Sequence, residues 1–115
     1  MKGFEHEDKF HKKLNKNTKK INLSKEQILS KAFQFHSQGN ISEAAKYYQY
    51  CINQGFADAK VFSNFGVILR GLGKLKEAEL STRQAIELNP NYAFAHLNLG
   101  RILKDLGNLK GAELY

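Results

Sequence analysis

The sequence predicts an all-α fold, a right-handed solenoid of stacked helix–turn–helix units with a basic arm in front. Three observations predict it. Landmark residues recur every 34 positions, apolar residues inside each period recur at spacings of three and four, and glycine, proline and capping residues punctuate the helices so defined. Of the 115 residues 42% are hydrophobic and 25% charged, the balance of a folding chain with room for one small core.

Residues 1–23 read as a flexible basic arm. They are rich in lysine and asparagine and hold too few apolar side chains to offset the entropy of ordering. Residues 1–24 carry seven lysines against Glu5, Glu7 and Asp8, a net +4 of the chain's +7. Order is expected from Ser24, which begins a capping box with Gln27, while Leu23 and Ile28 are spaced as its hydrophobic staple.

The repeats follow from there. Gly39-Asn40-Ile41, Gly73-Lys74-Leu75 and Gly107-Asn108-Leu109 lie 34 apart, as do Ala44, Ala78 and Ala112. Gly66 and Gly100 keep the spacing, and so do Phe65/Leu99, Leu69/Leu103 and Leu72/Leu106. The domain, residues 24–115, therefore divides into units 25–58, 59–92 and 93–115, about 2.7 repeats. In the middle unit Phe62, Phe65, Gly66, Leu69 and Leu72 mark the inner face of a first helix. Gly73 is placed to turn the chain through left-handed backbone angles. Ala78, Thr82, Ala85, Ile86 and Leu88 mark a second helix, which Pro90 ends. Asp58 and Asn91 stand where the following helices need caps. In the third unit Gly107 is expected to turn the chain into a second helix of at most six residues, Lys110 to Tyr115. So short a helix leaves Leu99, Leu103 and Leu106 without cover, which points to a longer repeat array, or to completion by a partner or by self-association through this end.

Phe62, Phe65, Gly66, Leu69, Ala78, Ala85 and Pro90 fall on marked places of the tetratricopeptide repeat, with Thr82 where an aromatic is usual, and the chain resembles that family from residue 25 to 115. Gly66 and Ala78 let the two helices of a hairpin approach, and Ala85 lets the second helix meet the next repeat. The first unit departs from the pattern at Lys31, Ala32, Cys51 and Phe56, as an imperfect N-terminal cap would.

No catalytic or cofactor-binding arrangement emerges, and no metal or other cofactor is expected. His6, His11, His36 and His96 lack ligand-like spacing. Gly66, Gly71, Gly73 and Lys74 fail the P-loop pattern, with Leu75 where Ser or Thr is needed. Cys51, the single cysteine, stands at a small-residue packing place and can close no internal disulfide, so the fold suits a reducing compartment. The start has no apolar run of the secretory kind, and the most apolar stretch, Phe65 to Leu72, is broken by Arg70. A soluble cytoplasmic protein is the expectation.

The resemblance implies that first helices line a concave groove receiving an extended peptide. The residues expected there are Lys60, Ser63, Asn64, Val67 and Arg70 in the middle unit, and Phe94, Leu97, Asn98, Arg101 and Lys104 in the third. Asn64 and Asn98 are 34 apart and could bond a peptide backbone whatever its sequence. That arrangement is similar to the asparagine ladder of protein O-linked N-acetylglucosamine transferases, with Ser30 at the matching place of the first unit. The family's carboxylate clamp is not reproduced: its places hold Leu29, Phe33, Phe94 and Asn98, and Asn64 alone matches. The basic side chains of the groove favour a partner of some acidic character.

The expected function is thus that of a noncatalytic protein-interaction scaffold. Two alternatives accompany it. The repeats resemble those that precede glycosyltransferase or sulfotransferase domains in bacterial proteins, where they would present substrates to an enzyme. The arm, with Phe4 and Phe10 among its lysines, could contact nucleic acid or anionic lipid through charge.

Overall fold

The computed structural model describes residues 23–114. The arm expected over residues 1–23 falls outside them except for Leu23, as do His6 and His11. The described residues form five α-helices and no strand: α1 Lys25–Ser37, α2 Ile41–Asn53, α3 Ala59–Gly71, α4 Leu75–Leu88 and α5 Ala93–Leu114. The all-α helical-repeat solenoid read from the period is the fold observed. No described helix is long and apolar enough to cross a membrane.

Helices α1, α2 and α3 start where a side chain satisfies an orphan amide, whereas Lys74 before α4 makes no such bond. Ser24 accepts from the Gln27 amide at 3.2 Å while the Gln27 side chain accepts from the Ser24 amide at 2.7 Å, completing the capping box. Asp58 accepts from the Val61 amide at 3.0 Å and caps α3. At α5 the expectation was one residue early. Tyr92, not Asn91, stands just before the helix, its carbonyl accepting from Ala95 and His96, while the Asn91 amide donates to the Asn89 side chain.

Two hairpins, α1/α2 and α3/α4, turn in the same way. Gly39 and Gly73 both sit at φ +77°, and each passes its amide to the carbonyl three residues back, His36 or Arg70, at 3.0 Å. The next residue, Asn40 or Lys74, reaches five back to Phe35 or Leu69 at 2.9 Å, closing a Schellman turn. The α2–α3 connection repeats the device at Gly55, also at φ +77°, where the middle unit instead ends near Pro90.

Gly107 behaves otherwise. The turn expected there is absent, and α5 runs through it unbroken.

The core lies between the helices of successive units. Ile28 and Ala32 of α1 meet Ala44, Tyr47, Tyr48 and Cys51 of α2 and Val61 and Ile68 of α3. Leu69, Ala78 and Ile102 continue it across α3, α4 and α5. Gly66 is where α3, α4 and α5 come closest: a methyl there would run into the Thr82 hydroxyl and sit 3.2 Å from the Asn98 amide nitrogen. Its counterpart Gly100 faces open space. Leu72 and Leu88, assigned to inner faces by spacing, are exposed instead, since both lie at helix ends beyond the reach of the neighbouring helix.

Candidate functional site

Helix α3 delivers Lys60, Asn64 and Val67 to one face, where α1 offers Phe33, His36 and Ser37. Together with Tyr48 from α2, all of these except Val67 line an open cleft of about 410 Å³. The Lys60 ammonium lies 4.3 Å from the centre of the Phe33 ring, a cation–π contact at the cleft's rim. Deeper in, the Tyr48 hydroxyl lies 3.0 Å from His36 Nδ1 and is also hydrogen-bonded by the Asn64 side chain. The His36 ring meets the Tyr48 ring edge-on, and Phe33 packs at a tilt against the same ring. Burial pushes the Tyr48 phenol up to about 12, and burial lowers the His36 imidazole. At neutral pH both rings are therefore uncharged, and Lys60 supplies the cleft's positive charge.

Not all ten expected groove residues reach such a surface. Ser63 is fully buried, with a hydroxyl that has no hydrogen-bond partner, and Asn98 is 3% exposed. The Asn98 amide nitrogen lies 3.3 Å from the Ser63 carbonyl oxygen and 3.2 Å from the Thr82 hydroxyl. Both side chains are closed in where α3, α4 and α5 meet, so the expectation that they face a groove is corrected for these two. The reason is size. Gly66 and Thr82 are small enough to draw α5 in over this spot, whereas the bulk of Tyr48 keeps Asn64 half-exposed at the equivalent spot one unit earlier.

The remaining expected residues spread along the chain of first helices. Arg70 reaches from α3 to Asp105 on α5 at 2.6 Å, a hydrogen-bonded ion pair that holds the Asp105 carboxyl below its usual range and raises the Arg70 guanidinium. Arg101 and Lys104 are exposed on α5, as are Phe94 and Leu97. Phe94 lies 6.0 Å, centre to centre, from the Tyr92 ring. Tyr92 also borders a second hollow of about 680 Å³, with Asp58, Lys60, Leu88 and Asn89. Lys60 is thus the wall shared by two hollows.

Phe33, His36, Ser37 and Tyr48 escaped the reading of the sequence, although the period contained them. Stepping back 34 from Val67 gives Phe33, and from Arg70 gives His36. What hid them was the irregular first unit, which looked like a cap rather than a binding element.

The chemistry on offer is hydrogen bonding and charge. Among the described residues no three of His, Cys, Asp or Glu come together as a metal site. Cys51 is fully buried, and burial pushes its thiol up to about 11, so it is a packing residue with little thiolate at neutral pH. His96, away from the cleft, places its Nε2 2.6 Å from the Pro90 carbonyl oxygen, tying the α4–α5 connection to α5.

Two family models, both of the tetratricopeptide repeat, match the chain. One covers residues 59–92, which hold α3 and α4, and the other covers residues 82–113, the end of α4 and nearly all of α5. No curated protein matches it.

Proposed function

Because residues 59–113 belong to the tetratricopeptide-repeat family, whose repeats generally mediate protein–protein interaction, we propose that this chain is a noncatalytic module holding an extended protein segment against α1 and α3. The observation that carries this reading is the cleft between those helices. It sets the half-buried Phe33 ring beside polar groups from His36, Asn64 and Lys60, above the buried Tyr48, and it is open at the rim. An extended chain leaves its backbone N–H and C=O groups unpaired, and a half-exposed amide such as Asn64 can meet them whatever the segment's side chains. The part of the Phe33 ring that Lys60 leaves uncovered gives those side chains somewhere apolar to go.

The test is an array of random decapeptides probed with the whole chain, followed by affinity measurements on the best binders. Phe33→Ala and Asn64→Ala should each weaken binding several-fold, with helical content retained by circular dichroism. Arg83→Ala, which removes a pair with Glu79 on the same helix, should leave binding unchanged. Binders indifferent to Phe33→Ala and Asn64→Ala would overturn the assignment.

A further inference from the structure

The hydrogen bonds in the cleft have a direction. One arrangement satisfies all three groups at this spot: the Asn64 amide N–H donates to the phenol oxygen, and the Tyr48 hydroxyl to His36 Nδ1. The Tyr48 hydroxyl then has its own proton to give, and His36 Nδ1 lies 3.0 Å away to accept it. A neutral imidazole accepting at Nδ1 carries its proton on Nε2. The relay Asn64 to Tyr48 to His36 therefore ends in an N–H donor on a ring that lines the cleft.

Lys60 adds a second. Its side chain is exposed and has no carboxylate within ion-pair distance among the described residues. Asp58, nearby in sequence, has its carboxylate engaged in capping α3. Among the described residues no carboxylate lines this cleft, so the Lys60 ammonium and the His36 ring share it without an anionic partner. An unpaired ammonium at the rim beside a half-buried imidazole favours an anionic acceptor.

We propose that the segment held here carries an aspartate or glutamate, whose carboxylate accepts from the Lys60 ammonium and the His36 Nε2–H. This rests on the groove reading above and narrows it. A single fixed cation matches a single carboxylate, whereas a nucleic-acid strand needs a row of cations for its phosphates. The one aromatic face at the rim, that of Phe33, is already covered by Lys60 and is not free to stack a base. Lys60 also stands between the two hollows, so a strand crossing it would drop alternate side chains to either side of the acidic one.

The experiment uses the best array peptide, resynthesised with each Asp or Glu replaced by Asn or Gln, against the whole chain and its Lys60→Met and His36→Phe variants. Acidic residues should be enriched among binders, and one carboxylate-to-amide change should weaken binding about tenfold. Lys60→Met should weaken the acidic peptide by a similar factor and leave the amide peptide unaffected. His36→Phe should weaken the acidic peptide more than the amide one. If Phe33→Ala and Asn64→Ala abolish binding but the amide peptides bind as well as the acidic ones, this proposal fails and the groove reading stands. An array without binders, or binders insensitive to Phe33→Ala and Asn64→Ala, overturns both.

Discussion

The Asn98 amide donates to the Thr82 hydroxyl at 3.2 Å, one repeat on from the place where Asn64 reaches the Tyr48 hydroxyl. Both pairs join the first helix of a unit to the second helix of the unit before it, and the corresponding members of the two pairs lie 34 residues apart. The recurring asparagine is therefore an inter-repeat fastener, closed at one interface and half-open at the other. Removing the buried one leaves the Thr82 hydroxyl and the Ser63 carbonyl short of a donor. Asn98→Ala should cost about 1–3 kcal/mol in urea unfolding, and Asn64→Ala clearly less, because water can replace the amide there. Equal costs would mean that the two asparagines do not differ as their burial implies.

Gly66 should tolerate no side chain while Thr82 is opposite it. Gly66→Ala places a methyl against the Thr82 hydroxyl and is expected to cost about 1–3 kcal/mol. In a Thr82→Ala background the same change should cost less by about 1 kcal/mol, since the space is then available. A double-mutant cycle with no coupling would remove Thr82 as the cause.

Gly73 and Gly107 occupy equivalent places in the sequence but not in the structure. Gly73→Ala forces a side chain into the left-handed region at φ +77° and should destabilise by about 1 kcal/mol. Gly107→Ala, in an exposed helical turn, should stabilise by about 0.5–1 kcal/mol. Thermal melts of the two variants check this directly: a fall in melting temperature for Gly107→Ala would restore the turn to that position.

Acid should weaken the fold in two windows. The His36 imidazole is lowered by burial, so as pH falls through its ordinary value of 6.5 the unfolded chain takes up the proton first and stability declines. His36→Gln should flatten that part of the profile. Asp105 is held low by Arg70, so its contribution is complete above its ordinary value of 3.8 and is lost as pH falls from there through the folded value. Arg70→Met should remove this second decline and leave the first. Urea midpoints measured from pH 7.5 down to 3 separate the two.

The fold was legible because repeat architecture is written redundantly. Gly39 and Gly73 could adopt the left-handed turn whatever surrounded them, and the Ser24 and Asp58 caps depend on residues three away. What lay beyond the sequence were properties set by a neighbour in space. Leu72 has an inner-face spacing, yet α3 ends before anything covers it. Gly107 stands at the place of Gly73 in the period, yet its backbone stays helical where Gly73 turns left-handed. Ser63 and Asn98 have groove spacing, but the small side chains at Gly66 and Thr82 let α5 close over them. Phe33 and His36 were obscured for the opposite reason, being ordinary groove positions in a unit whose packing residues are atypical.

The exchange of Tyr48 for Thr82 at one repeated position has a consequence for how such an array is shaped. A phenol spans the gap between units with a ring, a threonine with a single carbon, and in each case an asparagine meets the hydroxyl at its far end. The side chain at this place acts as a spacer of selectable length, holding one junction ajar and drawing the next one shut. A repeat protein built this way can acquire or lose a recess, one junction at a time, without altering the helices that form its walls.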